Sequence, residues 1–73
     1  MNWISVKKQL PEYSKRVLVS AYKDYENGDI TALVTIADRR FTNYLGDNWM
    51  DEKDEIKYWT VTHWQPLPEA ATL

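Results

Sequence analysis

Tyr58-Trp59-Thr60-Val61-Thr62-His63-Trp64-Gln65-Pro66-Leu67-Pro68 holds two of the four tryptophans, the only histidine and two of the three prolines of a 73-residue chain. β-Branched and aromatic residues through Trp64 favour an extended strand. Pro66 and Pro68 then oppose both a helix and further ladder donation, so the strand must stop there. Strict alternation puts Trp59, Val61 and His63 on one face and Tyr58 and Trp64 on the other. Large side chains on both faces demand cover on both sides, and the rest of the chain has to provide it.

Upstream, Arg16-Val17-Leu18-Val19-Ser20-Ala21-Tyr22 alternates cleanly, with Val17, Val19 and Ala21 on one face and Leu18 and Tyr22 on the other. It reads as a central strand over residues 16–23. The polar run Lys23 to Asp29 contains Asn27-Gly28, a pair suited to a turn that needs positive φ. A second strand, 30–37, alternates Ile30, Ala32, Val34 and Ile36 with Thr31, Leu33 and Thr35, and its Ile/Val side is expected to enter the core. Asp38-Arg39-Arg40 reads as the next turn and 40–45 as a third strand closed by Gly46. With 59–64, and Trp3-Ile4-Ser5-Val6 as an N-terminal arm packed on that last strand, the fold class is small α+β or mostly β. The expected architecture is a single antiparallel sheet of three to four strands with little helix. Residues 1–68 should form one compact domain, with 69–73 as a frayed tail. The expected core comprises Trp3, Val17, Val19, Val34, Ile36, Val61, His63 and Trp64.

Between Asp47 and Lys57 the composition changes. Five acids (Asp47, Asp51, Glu52, Asp54 and Glu55) face Lys53 and Lys57. Trp49 and Ile56 stand seven apart with little between them to complete a helical stripe, which favours an exposed loop over a short helix.

Three groups of residues carry a resemblance: Trp3-Ile4-Ser5-Val6 with Leu10-Pro11, then Arg16-Val17-Leu18-Val19, and finally Val61-Thr62-His63-Trp64-Gln65-Pro66-Leu67-Pro68. Together they resemble the domain-of-unknown-function family numbered 551, and they bracket nearly the whole chain. The resemblance implies an origin in bacteriophage or prophage genomes and a compact single domain. It brings no activity and no catalytic residue. The Asp24–Asp29 turn and the 47–57 segment look particular to this member, so differences in partner would reside there.

Size and composition narrow the function. A domain this small hides only about 60% of its unfolded surface, and without cysteine it has neither disulfides nor a Cys-based zinc site to stabilise it. Buried aromatics, about 150–250 Å² each, must substitute. A net charge of −2 gives no general attraction to nucleic acid, and no apolar run approaches a membrane span. Met1 leads directly into fold-like sequence, which reads as a cytoplasmic protein; the resemblance implies that the cytoplasm is that of a bacterial host. His63 is the one residue of a type that could shuttle protons near neutral pH, and Ser5, Ser14 and Ser20 are hydroxyl nucleophiles without a recognisable catalytic context. The acidic segment lacks the ligand spacing of a calcium loop. No enzyme, cofactor or metal is therefore expected.

Two readings remain. In the first, a small accessory protein binds another protein as an inhibitor or modulator of a host or phage target, through Tyr25, Tyr44, Trp49, Asp51 and Glu52, since Tyr and Trp are frequent hot-spot residues. In the second, Lys7, Lys8, Arg39 and Arg40, interleaved with aromatics, bind single-stranded nucleic acid. An open sheet edge also suggests a weak homodimer.

Overall fold

The computed structural model describes residues 2–53 and 55–68. It is mostly β: strands β1 (Ile4–Ser5), β2 (Arg16–Asp24), β3 (Ile30–Thr42), β4 (Gly46–Met50) and β5 (Thr60–Pro66), with a single 3-10 turn at Ile56–Tyr58. All five strands lie in one antiparallel sheet, ordered β1-β5-β2-β3-β4. The N-terminal arm thus supplies a fifth strand: Ile4 lies opposite Trp64 and Ser5 opposite His63. The expectation for 69–73 lies outside the described residues.

The β2–β3 hairpin forms where the chain carries Asn27-Gly28. Gly28 has φ +89°, a conformation that would strain an L side chain, and the Asn27 side chain accepts from Asp29 N–H at 3.0 Å. The turn fixes the register Val17↔Ala37, Val19↔Thr35 and Ala21↔Leu33. Because directly opposed residues share a face, the row Leu33, Thr35, Ala37 joins Val17, Val19 and Ala21 over the core. The row Ile30, Ala32, Val34, Ile36 is turned outward, with Ile30 69%, Val34 59% and Ile36 38% exposed. Val34 and Ile36 are therefore surface residues, contrary to the sequence expectation. The outward row is the more apolar of the two, yet β2, whose Val17 and Val19 are completely buried, chooses between them.

Asp38-Arg39-Arg40 is not a turn. β3 continues through it to Thr42, and the chain reverses at residues 43–45, where Thr42 Oγ1 accepts from Leu45 N–H at 2.9 Å and Gly46 adopts φ +69°. The residues after Gly46, expected as loop, form β4, which pairs with residues 38–42. A diagonal ion pair across these strands, Arg39 to Asp47, holds the extended form, as shown below.

β5 departs from simple alternation. Ser20 faces His63, but Ala21 faces Val61, so Thr62 is an extra residue and the register shifts there. This bulge re-phases the strand: Val61 and Trp64, three apart, both meet the core-facing row of β2. His63 goes to the opposite face beside Ser20 and is half-buried. The bulged residue is well held. Thr62 C=O accepts from Val6 N–H at 3.0 Å, and its hydroxyl lies 3.3 Å from Ser20 C=O.

The core cluster is Val17, Val19, Ala21, Ala37, Ile56 and Trp64, with Ile4, Val6, Leu33, Trp49, Trp59 and Val61 packed against it. Trp64 Nε1 donates to Gln9 C=O at 2.9 Å, which ties the segment after β1 across the sheet. Trp3, expected in the core, is 40% exposed; Ile4 takes the position opposite Trp64 instead. Trp49 packs on the core, and Ile56 is carried into it by the 3-10 turn, so the 47–57 segment contributes to the scaffold. Asp51 supports that turn by accepting from Glu55 N–H at 2.8 Å.

Truncating Trp64 to alanine should cost about 3–5 kcal/mol, as for other buried aromatics. Trp3→Ala should cost about 1 kcal/mol or less, in line with exposed positions. Urea unfolding of both variants checks this; equal losses would contradict the assignment of Trp64 as the buried anchor.

Candidate functional site

Strand pairing leaves one long stretch open. β4 covers β3 only along residues 38–42, so residues 30–37 pair with β2 on one side and, among the described residues, with no strand on the other. At about 3.3 Å per residue this edge runs about 26 Å. Only alternate residues aim their backbone polar groups to a given side, so it offers about four donors and four acceptors. Natural edges of this length are usually blunted by lysine, proline or a bulge. Ile30-Thr31-Ala32-Leu33-Val34-Thr35-Ile36-Ala37 contains no charge and no proline.

Beside this edge the 51–59 connection leaves a cleft of about 520 Å³. Leu18, Val34, Ile36 and Trp59 line it with apolar surface, while Asp51, Glu52 and Glu55 add carboxylates and Arg16 and Lys53 add positive charge. Arg16 pairs with Glu52 at 3.1 Å, both largely exposed. A pair of this kind in water contributes little to stability. The cleft therefore combines apolar walls, an open backbone edge and a surplus of one negative charge among those five ionised side chains.

The residues expected to bind a partner are not gathered together. Tyr25 lies at the β2–β3 turn and Tyr44 in the β3–β4 turn, at opposite ends of the 13-residue β3, with Tyr44 92% exposed. Lys23 Nζ lies 5.4 Å from the Tyr25 ring centroid and 6.0 Å from that of Tyr58, which groups Tyr25 with Tyr58 rather than with Tyr44. Trp49 packs on the core. Asp51 and Glu52 do line the cleft. Sequence reading passed over Leu18, Trp59 and the β3 edge; the signal available was the uncharged, proline-free run from Ile30 to Ala37.

The basic set is also dispersed. Arg39 is held from all sides: Nε donates to Asp47 Oδ1 at 2.9 Å, Nη2 to Asp47 Oδ2 at 2.6 Å and to Tyr13 Oη at 3.0 Å, and Nη1 to Pro11 C=O at 3.1 Å. Its guanidinium also stacks on Tyr13, 4.0 Å from the ring centroid. The hydrogen bonds to Asp47 raise its pKa above the usual arginine range, against a smaller opposing effect of desolvation. A folded-state pKa raised in this way stabilises the protein at every pH below the arginine's unfolded value, and that contribution is lost only in strong alkali. Arg40 Nε pairs with the buried Asp38 at 2.5 Å. Lys7 and Lys8 sit in the exposed turn after β1, three strands away from β3.

His63, Ser5 and Ser20 form a row across β1, β5 and β2. His63 Nδ1 lies 2.9 Å from Thr62 Oγ1. Which of the two donates follows from the imidazole tautomer. The contact lies within the bulge, between neighbouring residues. Ser14 lies elsewhere, in a positive-φ turn whose N–H donates to Arg39 C=O at 2.8 Å. Among the described residues no His/Cys/Asp/Glu group is placed to hold a metal, and no helix is long and apolar enough to cross a membrane.

A family model described as a protein of unknown function, DUF551, matches residues 2–72. No curated protein and no solved structure matches the chain.

Arg39→Lys would remove the forked contact with Asp47 and the stacking on Tyr13, which a point charge cannot reproduce. It should lower the melting temperature by several degrees, and by more than Arg40→Lys does. Thermal unfolding followed by circular dichroism distinguishes the two.

Proposed function

The chain belongs to this family of unknown function, a membership that brings no reaction with it, and we propose that the protein acts by binding another protein, receiving an extended segment of it along the open edge of β3. The observation that carries this reading is the uncapped, uncharged edge 30–37 lying beside an apolar cleft. An added strand would satisfy the outward backbone groups, while alternate side chains would enter the cleft or lie over Val34 and Ile36. Carboxylates at Asp51, Glu52 and Glu55 favour basic residues among those that remain solvated. The phage or prophage origin implied by the sequence resemblance would make the bound chain a host or phage protein, with the small domain as its inhibitor or modulator.

This reading shifts recognition away from Tyr44 and Trp49 and towards Leu18, Val34, Ile36, Asp51, Glu52 and Glu55. The nucleic-acid reading has less support, because Arg39 and Arg40 are engaged with Asp47 and Asp38.

Eight-residue peptides alternating β-branched and lysine residues are the direct probe, titrated into isotopically labelled protein. Amide resonances of residues 30–37 should shift, and Val34→Lys and Glu55→Lys should each weaken binding at least fivefold with the fold preserved. Peptide-induced shifts confined to other strands would refute the site. Binding of single-stranded DNA at Lys7 and Lys8 that falls steeply with salt would favour the nucleic-acid reading instead.

A further inference from the structure

We infer that, in the absence of another partner, the β3 edge pairs with the β3 edge of a second copy of this chain, in antiparallel register about a two-fold axis through Leu33. This rests on the edge being the recognition element proposed above, and it names one occupant. The edge sequence is nearly palindromic: Ile30-Thr31-Ala32-Leu33-Val34-Thr35-Ile36. An isologous contact requires that residue i meet j and j meet i. With Leu33 on the axis, Ile30 faces Ile36, Thr31 faces Thr35, Ala32 faces Val34 and Leu33 faces itself. Each pair matches β-branched with β-branched or apolar with apolar, and no charge occurs along the seam, so no like-charge repulsion opposes it.

The exposed row supports the same arrangement. Ile30, Ala32, Val34 and Ile36 all lie on one face and are all exposed. In the paired form the corresponding row of the second copy lies alongside, about 5 Å away, and each row covers part of the other. A one-residue slip would set Ile30 against Thr35 and turn one copy's apolar row against the other's threonine row, so the palindrome also specifies register.

The size of the contact sets its strength. A seven-residue seam is about 23 Å long and covers one strand's edge and part of one side-chain row. That falls well short of the roughly 1,200 Å² at which stable interfaces begin. The pairing is accordingly a concentration-dependent equilibrium, which suits an edge that a partner strand must be able to displace.

Sedimentation equilibrium of the full chain at increasing concentration is the first test: the weight-average mass should rise from monomer towards dimer in the high micromolar range. Val34→Lys, exposed in the monomer, should reduce association at least tenfold while leaving the circular dichroism spectrum unchanged. Since the chain has no cysteine, an equal mixture of Ala32→Cys and Val34→Cys proteins, both positions exposed and facing each other across the seam, gives an independent reading. The mixture should cross-link to a dimer under mild oxidation, and Tyr44→Cys should remain monomeric under the same conditions. A wild-type protein that stays monomeric near millimolar concentration overturns the proposal, as does a dimer unaffected by Val34→Lys. The two readings separate cleanly. Loss of self-association with peptide shifts retained at 30–37 removes only the second copy, whereas dimerisation without peptide binding removes only the peptide-binding function.

Discussion

The structure depends on the insertion of Thr62 into β5. Without that extra residue, Val61 and Trp64 would project from opposite faces, as an uninterrupted two-residue period requires. With it, both meet Val19 and Ala21 on the core side of β2. A sheet that is closed over on one face by so short a chain has few large side chains to use, and losing either from the core would leave a gap that nothing nearby fills. Three contacts hold the bulge: Val6 N–H to the Thr62 carbonyl, the Thr62 hydroxyl beside Ser20 C=O, and His63 Nδ1 against that hydroxyl. The only histidine is thereby explained as part of the scaffold.

A second constraint acts at the far side of the sheet. Arg39 joins the β3–β4 hairpin to the segment that follows β1, through Asp47 on one side and Pro11 and Tyr13 on the other. Trp64 does the same nearer the first edge by reaching Gln9. The segment between β1 and β2 has almost no regular structure of its own, and these two side chains fix where it lies. Binding groups that look available in the sequence are consumed in this way, which is why a count of lysines and arginines is a poor guide to a nucleic-acid surface here.

What remains unconsumed is the upper part of β3. Its inner row packs on the core, its outer row is exposed, and its free edge borders a cleft made by the 51–59 connection. Short β4 and long β3 create this arrangement together. Had β4 extended along the whole of β3, residues 30–37 would be paired on both sides and the open edge on this side of the sheet would belong to β4. Edge, cleft and exposed row are thus one consequence of unequal strand length, and both the proposed strand addition and the proposed self-pairing rest on that same feature.

The sequence by itself determined the class of fold, the strong β2 strand, the Asn27-Gly28 reversal and the end of β5, because each rests on local chemistry: alternation, positive φ, and proline's missing donor. The core positions Val17, Val19 and Trp64 were legible for the same reason. Tertiary structure alone decided that β3 runs through Asp38-Arg39-Arg40, since the charges that look like a turn are neutralised by Asp47 across the hairpin and by Asp38 within the strand. It also decided which row of β3 is buried. Ile30, Val34 and Ile36 are the more hydrophobic row, but strand register is set by the partner, and the fully buried face of β2 selects Leu33, Thr35 and Ala37. The candidate site was hidden for a related reason: an open edge is a property of where the neighbouring strand stops, and no residue on the edge itself records that.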